Sequence, residues 1–558
     1  MKTMRPVFLF LLLVAVGAHG AEKASSLAER VDAIFGSTAG DSPGYAIAVI
    51  KDGKVVLEKS HGLASVEYGS PFTPTTPFNT ASLSKQFIGL AVSMLIEQGK
   101  IALDDDVRNY VPELPEYDEG PVSVRQLLHH TSGIRDCYAV LVAAGWRWDD
   151  AFSGEDCMRT AIAQKDLAFK PGTRYAYSNT EYLLLQKIVA KVGGKPFPQW
   201  ATENIFHPTG MDSTWFVDDY SSIVKDAAMP YSRGEQGFRR DLQQDSGVYL
   251  LSTLRDLGRW AVHFDRKLAA RDPTYLRMVE PGALADGEEV PYGFGLMLGE
   301  DRGLDIVFHT GAWGGYRANI RHYPARHLSI VALNNAGDND MNPRRVPQVA
   351  ALFLDEANAP ACGKADALRE APTVRPDPAR LRGLAGVYRW KDDAITITLE
   401  EGRLMAQYLG EEKVSTEAKS DTEFWVSAYR APISFSARQG KPVLLFRSTE
   451  GQRVEPFAPG DLDAYAGIYA NDDLATLYKV DIEDGRLYIH HFRRGDAELA
   501  PHPAHIDRFM GDMGIVQFVR NKAGRIDGFD FVGENLGKLR FARKPPAPSS
   551  RRPVPQFR

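Results

Sequence analysis

Ser82-Leu83-Ser84-Lys85 sets a hydroxyl and an amine three residues apart, the spacing that puts both on one face of a helix's first turn. A serine hydroxyl is a weak nucleophile at neutral pH. An amine one turn away can accept or relay its proton, so the pair can build a covalent acyl-serine catalyst. The amine must be neutral for that, a state that burial and a cationic or hydrogen-bonding neighbourhood favour. Alone the pattern carries little, because Ser-x-x-Lys arises by chance roughly twice in a chain of this length. Two later segments give it weight: Tyr177-Ser178-Asn179, then His309-Thr310-Gly311, in the chain order an acyl-transfer site uses.

Each residue type has a physical task. Tyr177 is the second acid or base, as a phenolate or as a proton shuttle to the leaving group. The Asn179 amide can accept from Lys85 and donate to a substrate carbonyl, fixing the geometry of both. The oxyanion of a tetrahedral intermediate needs backbone donors, most naturally the amides of Ser82 and Ala312, and Gly311 would let its strand approach closely. Thr310 lies between them on the substrate side. Arg317 lies just past this motif, either orienting a carboxylate or making a structural ion pair.

Elements must hold these groups. Asp52-Gly53 between Tyr45–Val49 and Lys54–Glu58 predicts a tight hairpin. Phe87, Ile88, Ala91, Met94 and Leu95 recur at helical spacing and stop before Gly99, so Ser82 is expected in the first turn of an amphipathic helix. Helical patterns also cover Thr180–Val192, Thr253–Asp265 and Val346–Ala357, while His309–Gly311 and Ala318–Leu333 read as antiparallel strands. No βαβ rhythm is present. After the Pro-bearing stretch Ala359–Arg380 the chain becomes strand-rich and repeats itself. Leu384-Ala385-Gly386-Val387-Tyr388 returns as Tyr465-Ala466-Gly467-Ile468-Tyr469, and Glu401-Gly402-Arg403-Leu404 as Asp484-Gly485-Arg486-Leu487, a repeat of roughly 80 residues. Two small antiparallel barrels are the economical reading.

A chain of 558 residues with 44% hydrophobic and 25% charged residues is globular and long enough for several domains. A net charge of -6 supplies no basic field for nucleic acid, so a small-molecule or short peptide substrate is expected. Lys2 and Arg5 precede the apolar run Val7–Val16, and Ala18-His19-Gly20 resembles a signal-peptidase site. The divisions expected are an export signal at 1–20, a catalytic domain at 21–358, a linker at 359–380, barrels at 381–457 and 458–543, and a disordered tail at 544–558. A secreted or periplasmic location follows, with membrane contact only through the signal; oligomeric state is open. Cys137, Cys157 and Cys362 are too few for a disulfide scaffold, and Cys137 with Cys157 can be bonded or free. His129-His130 and His490-His491 point their neighbours apart and have no helix-spaced carboxylates, so no metal or other cofactor is expected.

These motifs resemble the serine β-lactamase and penicillin-binding-protein superfamily, specifically its class C β-lactamase-like esterase and peptidase branch, over about residues 25 to 355. Leu127-Leu128-His129-His130-Thr131-Ser132-Gly133, Pro171-Gly172-Thr173-Arg174-Tyr175 and Ser252-Thr253-Leu254-Arg255-Asp256-Leu257 support the likeness. The resemblance implies an α/β (α+β) β-lactamase/transpeptidase-like domain, an antiparallel sheet with helices on one face and a helical lobe. It implies Ser82 as nucleophile, Lys85 and Tyr177 as acid and base partners, Asn179 as positioner and His309-Thr310-Gly311 as the substrate-side strand. Drug-hydrolysing members usually carry lysine where this chain has His309, and a histidine gives a weaker, pH-dependent grip on a carboxylate. The tandem barrels resemble bacterial D-aminopeptidases, in which the last barrel helps to wall the site. The expected activity is therefore D-aminopeptidase-like or esterase-like hydrolysis. A β-lactamase or D,D-carboxypeptidase is the second enzymatic reading, and a non-catalytic cell-wall or penicillin-binding receptor the reading of another class.

Overall fold

The computed structural model describes residues 26–545 apart from 36–39, 220, 235–236, 242–244, 247–248, 340, 355–367, 369–370, 391–392, 410, 430 and 447–448. The expected export signal, the tail beyond residue 545, Cys362 and the first half of the expected linker lie outside the described residues. The catalytic domain is built on one antiparallel sheet of β1 (Tyr45–Lys51), β2 (Lys54–His61), β3 (Met297–Asp301), β4 (Leu304–Trp313), β5 (Tyr316–Tyr323) and β6 (Leu328–Asn334), in the order β3-β4-β5-β6-β1-β2. Asp52 and Gly53 both take positive φ at the β1–β2 turn, as a two-residue hairpin with right-handed strands requires.

The period of two along β1 divides its side chains between two cores. Ala46, Ala48 and Ile50 face a large cluster built on α2 (Lys85–Glu97), α5 (Asn179–Gly193) and α6 (Leu254–Ala269). Tyr45, Ile47 and Val49 face a second cluster with Val31 and Phe35 of α1 (Leu27–Phe35) and Val346, Val349 and Ala350 of α7 (Val346–Phe353). Helices therefore cover both faces of the sheet, which corrects the one-faced arrangement. The reason is that β1 carries apolar side chains in both registers, and an exposed second face would leave Tyr45, Ile47 and Val49 in water. The helix α2 is not amphipathic either: every residue from Lys85 to Ser93 is buried, so it runs through the core. Two shorter helices, α3 (Cys137–Ala143) and α4 (Gly154–Ala163), lie beside the start of α5.

Beyond the catalytic domain stand two all-β modules. The first is a nine-stranded antiparallel sheet from Gly386–Trp390 to Thr449–Val454 whose two edge strands, Val414–Ser415 and Glu417–Ala418, are one residue apart, so the sheet curls into a nearly closed barrel. The second is a closed eight-stranded barrel from Gly467–Asn471 to Gly537–Arg543, with Tyr469 paired to Arg543. The repeated motif does the same job in each: Tyr388 and Tyr469 are fully buried, and each hydroxyl donates to the carbonyl four residues back, Leu384 at 2.7 Å and Tyr465 at 2.6 Å. The boundary between linker and first module lies earlier than residue 381. A helix over Pro378–Leu384, capped by Asp377, starts the first module before residue 381. Part of the expected linker is also stitched to that module, with the Val374 amide donating to Ala418 and the Lys419 ammonium to Ala371.

Candidate active site

Ser82 sits in a short 3₁₀ turn, Ala81–Ser84, directly ahead of α2. Ala81 is held at φ 49°, where a residue with a Cβ is uncommon, and its amide donates to Asn79 Oδ1 at 2.9 Å. Gly311 lets β4 press on this turn, since a Cβ there would fall 2.1 Å from the Thr80 carbonyl oxygen. The amide-bearing residues Ser82 and Ala312 consequently line one cavity of about 70 Å³. Thr310, one residue before Gly311, pairs with Asn319 on β5.

Lys85 is 5% exposed, and its Nζ donates to Asn179 Oδ1 at 2.8 Å and to Ser82 Oγ at 3.3 Å. The same nitrogen lies 4.9 Å from the centre of the Tyr177 ring. Burial holds the Tyr177 phenol well above its ordinary range, opposed by a hydrogen bond with Ser82. Burial therefore favours the neutral Tyr177 hydroxyl over the phenolate. Asn179 opens α5, and its amide nitrogens are committed on the other side: the backbone N–H and the side-chain Nδ2 both donate to Asp136 Oδ2 at 2.7 Å. Asp136 belongs to none of the motifs picked out in the sequence.

Two expected substrate contacts are placed elsewhere. His309 is 1% exposed, with Nε2 bonded to the Tyr292 hydroxyl at 3.0 Å and Nδ1 to the Thr310 carbonyl at 2.7 Å. Burial, with the Lys85 charge as a second cause, lowers its pKa to about 3, so it is neutral near pH 7 and offers no grip on a carboxylate. Arg317 staples the β4–β5 turn instead, donating to the carbonyls of Gly314 and Tyr316 and to Asn339 Oδ1. Behind the site lies a polar group that the sequence did not reveal. His130 Nδ1 accepts from the Ser178 amide at 3.2 Å and is bonded to Glu181 Oε2, while Ser132 donates to Glu181 Oε1. A ring nitrogen that accepts from an amide cannot also donate, so the shared proton belongs to Glu181. Burial acts in the same sense, raising the Glu181 carboxyl far above and lowering the His130 imidazole far below their usual ranges.

Cys137 and Cys157 are joined in a disulfide, which settles the alternative left open, and the bond forms part of the cavity wall with Tyr138, Leu183 and Trp313. Among the described residues that line this cavity none comes from a barrel, so the second barrel is not a wall of it. His490 also departs from its reading. Strand pairing sets Asp481 against Nε2 at 2.5 Å and Asp496 against Nδ1 at 2.7 Å, carboxylates that sequence spacing alone did not bring near.

With this geometry in hand, comparison with known proteins is specific. A family model described as Beta-lactamase matches residues 27–354, from α1 to α7. The D-aminopeptidase of Gluconobacter oxydans (strain 621H) is 32% identical over 300 residues, a match covering 52% of this chain and 56% of that protein, so the chain spans little more than half of that relative's length. The D-aminopeptidase of Brucella melitensis biotype 2 is 25% identical over 461 residues, covering 80% of this chain and 82% of that protein. The octameric penicillin-binding protein homologue from Pyrococcus abyssi shares the fold, with a TM-score of 0.53 at 22% identity over 84% of this chain and 97% of that chain.

Proposed function

Because the chain belongs to the beta-lactamase family of serine hydrolases, we propose that it cleaves small amides or esters through an acyl-Ser82 intermediate, as a D-aminopeptidase or esterase does. The observation that carries this reading is the contact of Lys85 Nζ with Ser82 Oγ and Asn179 Oδ1 beside the Tyr177 hydroxyl. Ser82 Oγ attacks the substrate carbonyl while Lys85, in its neutral amine form, takes the proton directly or through the Tyr177 hydroxyl. The amides of Ser82 and Ala312 hold the oxyanion. Tyr177 returns a proton to the leaving amine or alcohol as the C–N or C–O bond breaks. Water then attacks the acyl-serine by the reverse proton path and releases the acid.

Substrate charge discriminates between enzymatic readings. Among the described residues lining the cavity Lys85 is the one basic side chain, and it is bonded to Ser82 and Asn179. With His309 neutral and Arg317 turned to the β4–β5 turn, a substrate carboxylate finds little to hold it, which favours amides and esters over β-lactams and wall peptides with a free carboxylate. A substrate ammonium would meet the rings of Tyr138 and Trp313, 4.9 Å apart, rather than a carboxylate. The reading includes export to the periplasm or beyond. The charged and apolar pattern of residues 2–20 supports it, as does the Cys137–Cys157 disulfide, a bond suited to an oxidising compartment.

The test is hydrolysis of D-alanine p-nitroanilide against p-nitrophenyl butyrate by the chain from Ala21, with Ser82→Ala as control. Amide cleavage lost by at least about 10³-fold in Ser82→Ala supports the aminopeptidase form, and ester cleavage alone the esterase form. Stable acylation by penicillin with neither hydrolysis would favour the penicillin-binding reading, and a physiological effect untouched by Ser82→Ala the receptor reading.

A further inference from the structure

Asp136 touches both the catalytic relay and the second barrel. It is 4% exposed and its carboxylate accepts on both oxygens: Oδ1 from the Ala139 amide at 3.1 Å, capping α3, and Oδ2 from the backbone and side-chain amides of Asn179. An asparagine side chain has a donor end and an acceptor end of nearly equal size, so its neighbours alone decide which way it faces. A carboxylate on one side requires Nδ2 there and leaves Oδ1 for Lys85. The bond from the Asn179 backbone to the same oxygen fixes the start of α5, and Thr180 Oγ1 binds α3 to α5 through the Cys137 amide and the Arg135 carbonyl, each at 2.8 Å.

The other side of Asp136 is held by the second barrel. Its backbone amide donates to the Asn535 carbonyl at 2.9 Å, in the turn before the last barrel strand. The adjoining Arg135, 3% exposed, donates to the carbonyls of Leu536 and Lys538, each at 2.9 Å. That turn is pressed onto the catalytic domain at Gly537, where φ is 64° and a Cβ would fall 2.7 Å from that of Ala168.

Resting on the acyl-serine reading above, we propose that Asp136 is a positioning residue for catalysis: it fixes Asn179 in the one orientation that gives Lys85 an acceptor, and the 534–536 turn of the second barrel holds Asp136 in place. The barrel thus serves the chemistry through a chain of hydrogen bonds, Asn535 to Asp136 to Asn179 to Lys85.

The test is Asp136→Asn in the full chain. The new amide can turn a donor toward Asn179, whose side chain then flips and presents Nδ2 to Lys85. We expect kcat on p-nitrophenyl butyrate to fall about 10²-fold with KM within about twofold, and labelling of Ser82 by a fluorophosphonate to slow in parallel. In an Asn179→Ala background the same substitution should add less than about threefold, because the relay is already broken. Asp136→Ser keeps a cap for α3 while removing the carboxylate, and should reproduce the loss if Asp136→Asn folds poorly. Wild-type kcat in either folded variant, or an equal loss in both backgrounds, would overturn the proposal. Activity retained by Ser82→Ala in the same assay would instead sink the acyl-serine reading on which it rests.

Discussion

The two barrels share a repeat and a buried tyrosine bonded to its own backbone, yet they attach to the molecule differently. The second takes Val140 and Ala143 of α3 into its own apolar core, and Tyr478 Oη and Thr476 Oγ1 donate to the carbonyls of Ala143 at 2.9 Å and Ala144 at 3.2 Å. Among the described residues the first barrel bonds instead to the second, through Arg389 to the Ala504 carbonyl at 3.2 Å and the Phe457 amide to Pro503 at 2.8 Å, beside a small cluster of Val387, Ala394 and Ala504. A duplicated module has been specialised by what surrounds its strands. Among the described residues only the second copy meets a helix of the catalytic domain whose carbonyls and apolar side chains it can bury.

Removing each barrel separately gives the largest expected difference. A chain ending at residue 457 leaves Arg135, Val140 and Ala143 uncovered, and is expected to lose soluble, active enzyme. Excision of residues 371–456 should leave kcat/KM on p-nitrophenyl butyrate unchanged. Full activity in the first truncation would break the comparison. Within the docked interface, Gly145 is the position least able to change. It holds φ 92°, and a Cβ would fall 1.8 Å from the His491 ring. Gly145→Ala should cost about 1–3 kcal/mol in urea unfolding by forcing that ring out. A substitution on the first barrel such as Glu450→Ala, an exposed partner of Arg438, should be near neutral.

Acid sharpens the same contrast, because the first barrel contains no histidine. His491 is bonded to Thr476 at 2.9 Å and packed against Tyr478, and burial together with Arg493 and Arg494 lowers its pKa to about 4. The unfolded chain then binds this proton more readily than the folded one. Its contribution is therefore complete above about pH 6.5 and is lost as the pH falls from there toward 4. His309 and His322, each lowered to about 3 by burial, act in the same direction in the catalytic domain. The melting temperature should decline across this window, and His491→Gln should make the decline shallower. A profile indifferent to His491 would show that its protonation does not loosen the barrel.

How much of this was legible in the sequence depends on distance along the chain. Ser82 and Lys85 are set by helical spacing and the β1–β2 hairpin by Asp52-Gly53, signals within a few residues, while the paired barrels show as a repeat of short motifs that needs no knowledge of contacts. Asp136 could not be read that way, since its role needs α3 brought against α5 some forty residues later and a barrel turn about four hundred residues later. His309 was legible as a member of its motif but not as a buried one: only the fold places Tyr292 over Nε2. Glu181 lies inside a recognised segment, yet the proton it carries is decided by His130, whose Nδ1 also takes the Ser178 amide and which meets Glu181 through tertiary packing.

Within the docked interface the smallest effect is expected at its rim, from Arg493→Ala. Its guanidinium pairs with Asp150 at 3.0 Å and lies 4.5 Å from the centre of the Trp146 ring, but the arginine side chain is 34% exposed. Solvent and salt weaken such an ion pair, so the total loss should be about 0.5–1 kcal/mol, shared between charge and stacking. The two parts separate by ionic strength: at about 1 M salt the ion pair is screened while the stacked contact persists. Arg493→Lys, which keeps the charge and gives up the flat guanidinium, should therefore differ from wild type at high salt nearly as much as at low salt. If the Lys variant matched wild type at every salt concentration, charge alone would hold this rim, and docking of the second barrel would owe nothing here to the face of Trp146.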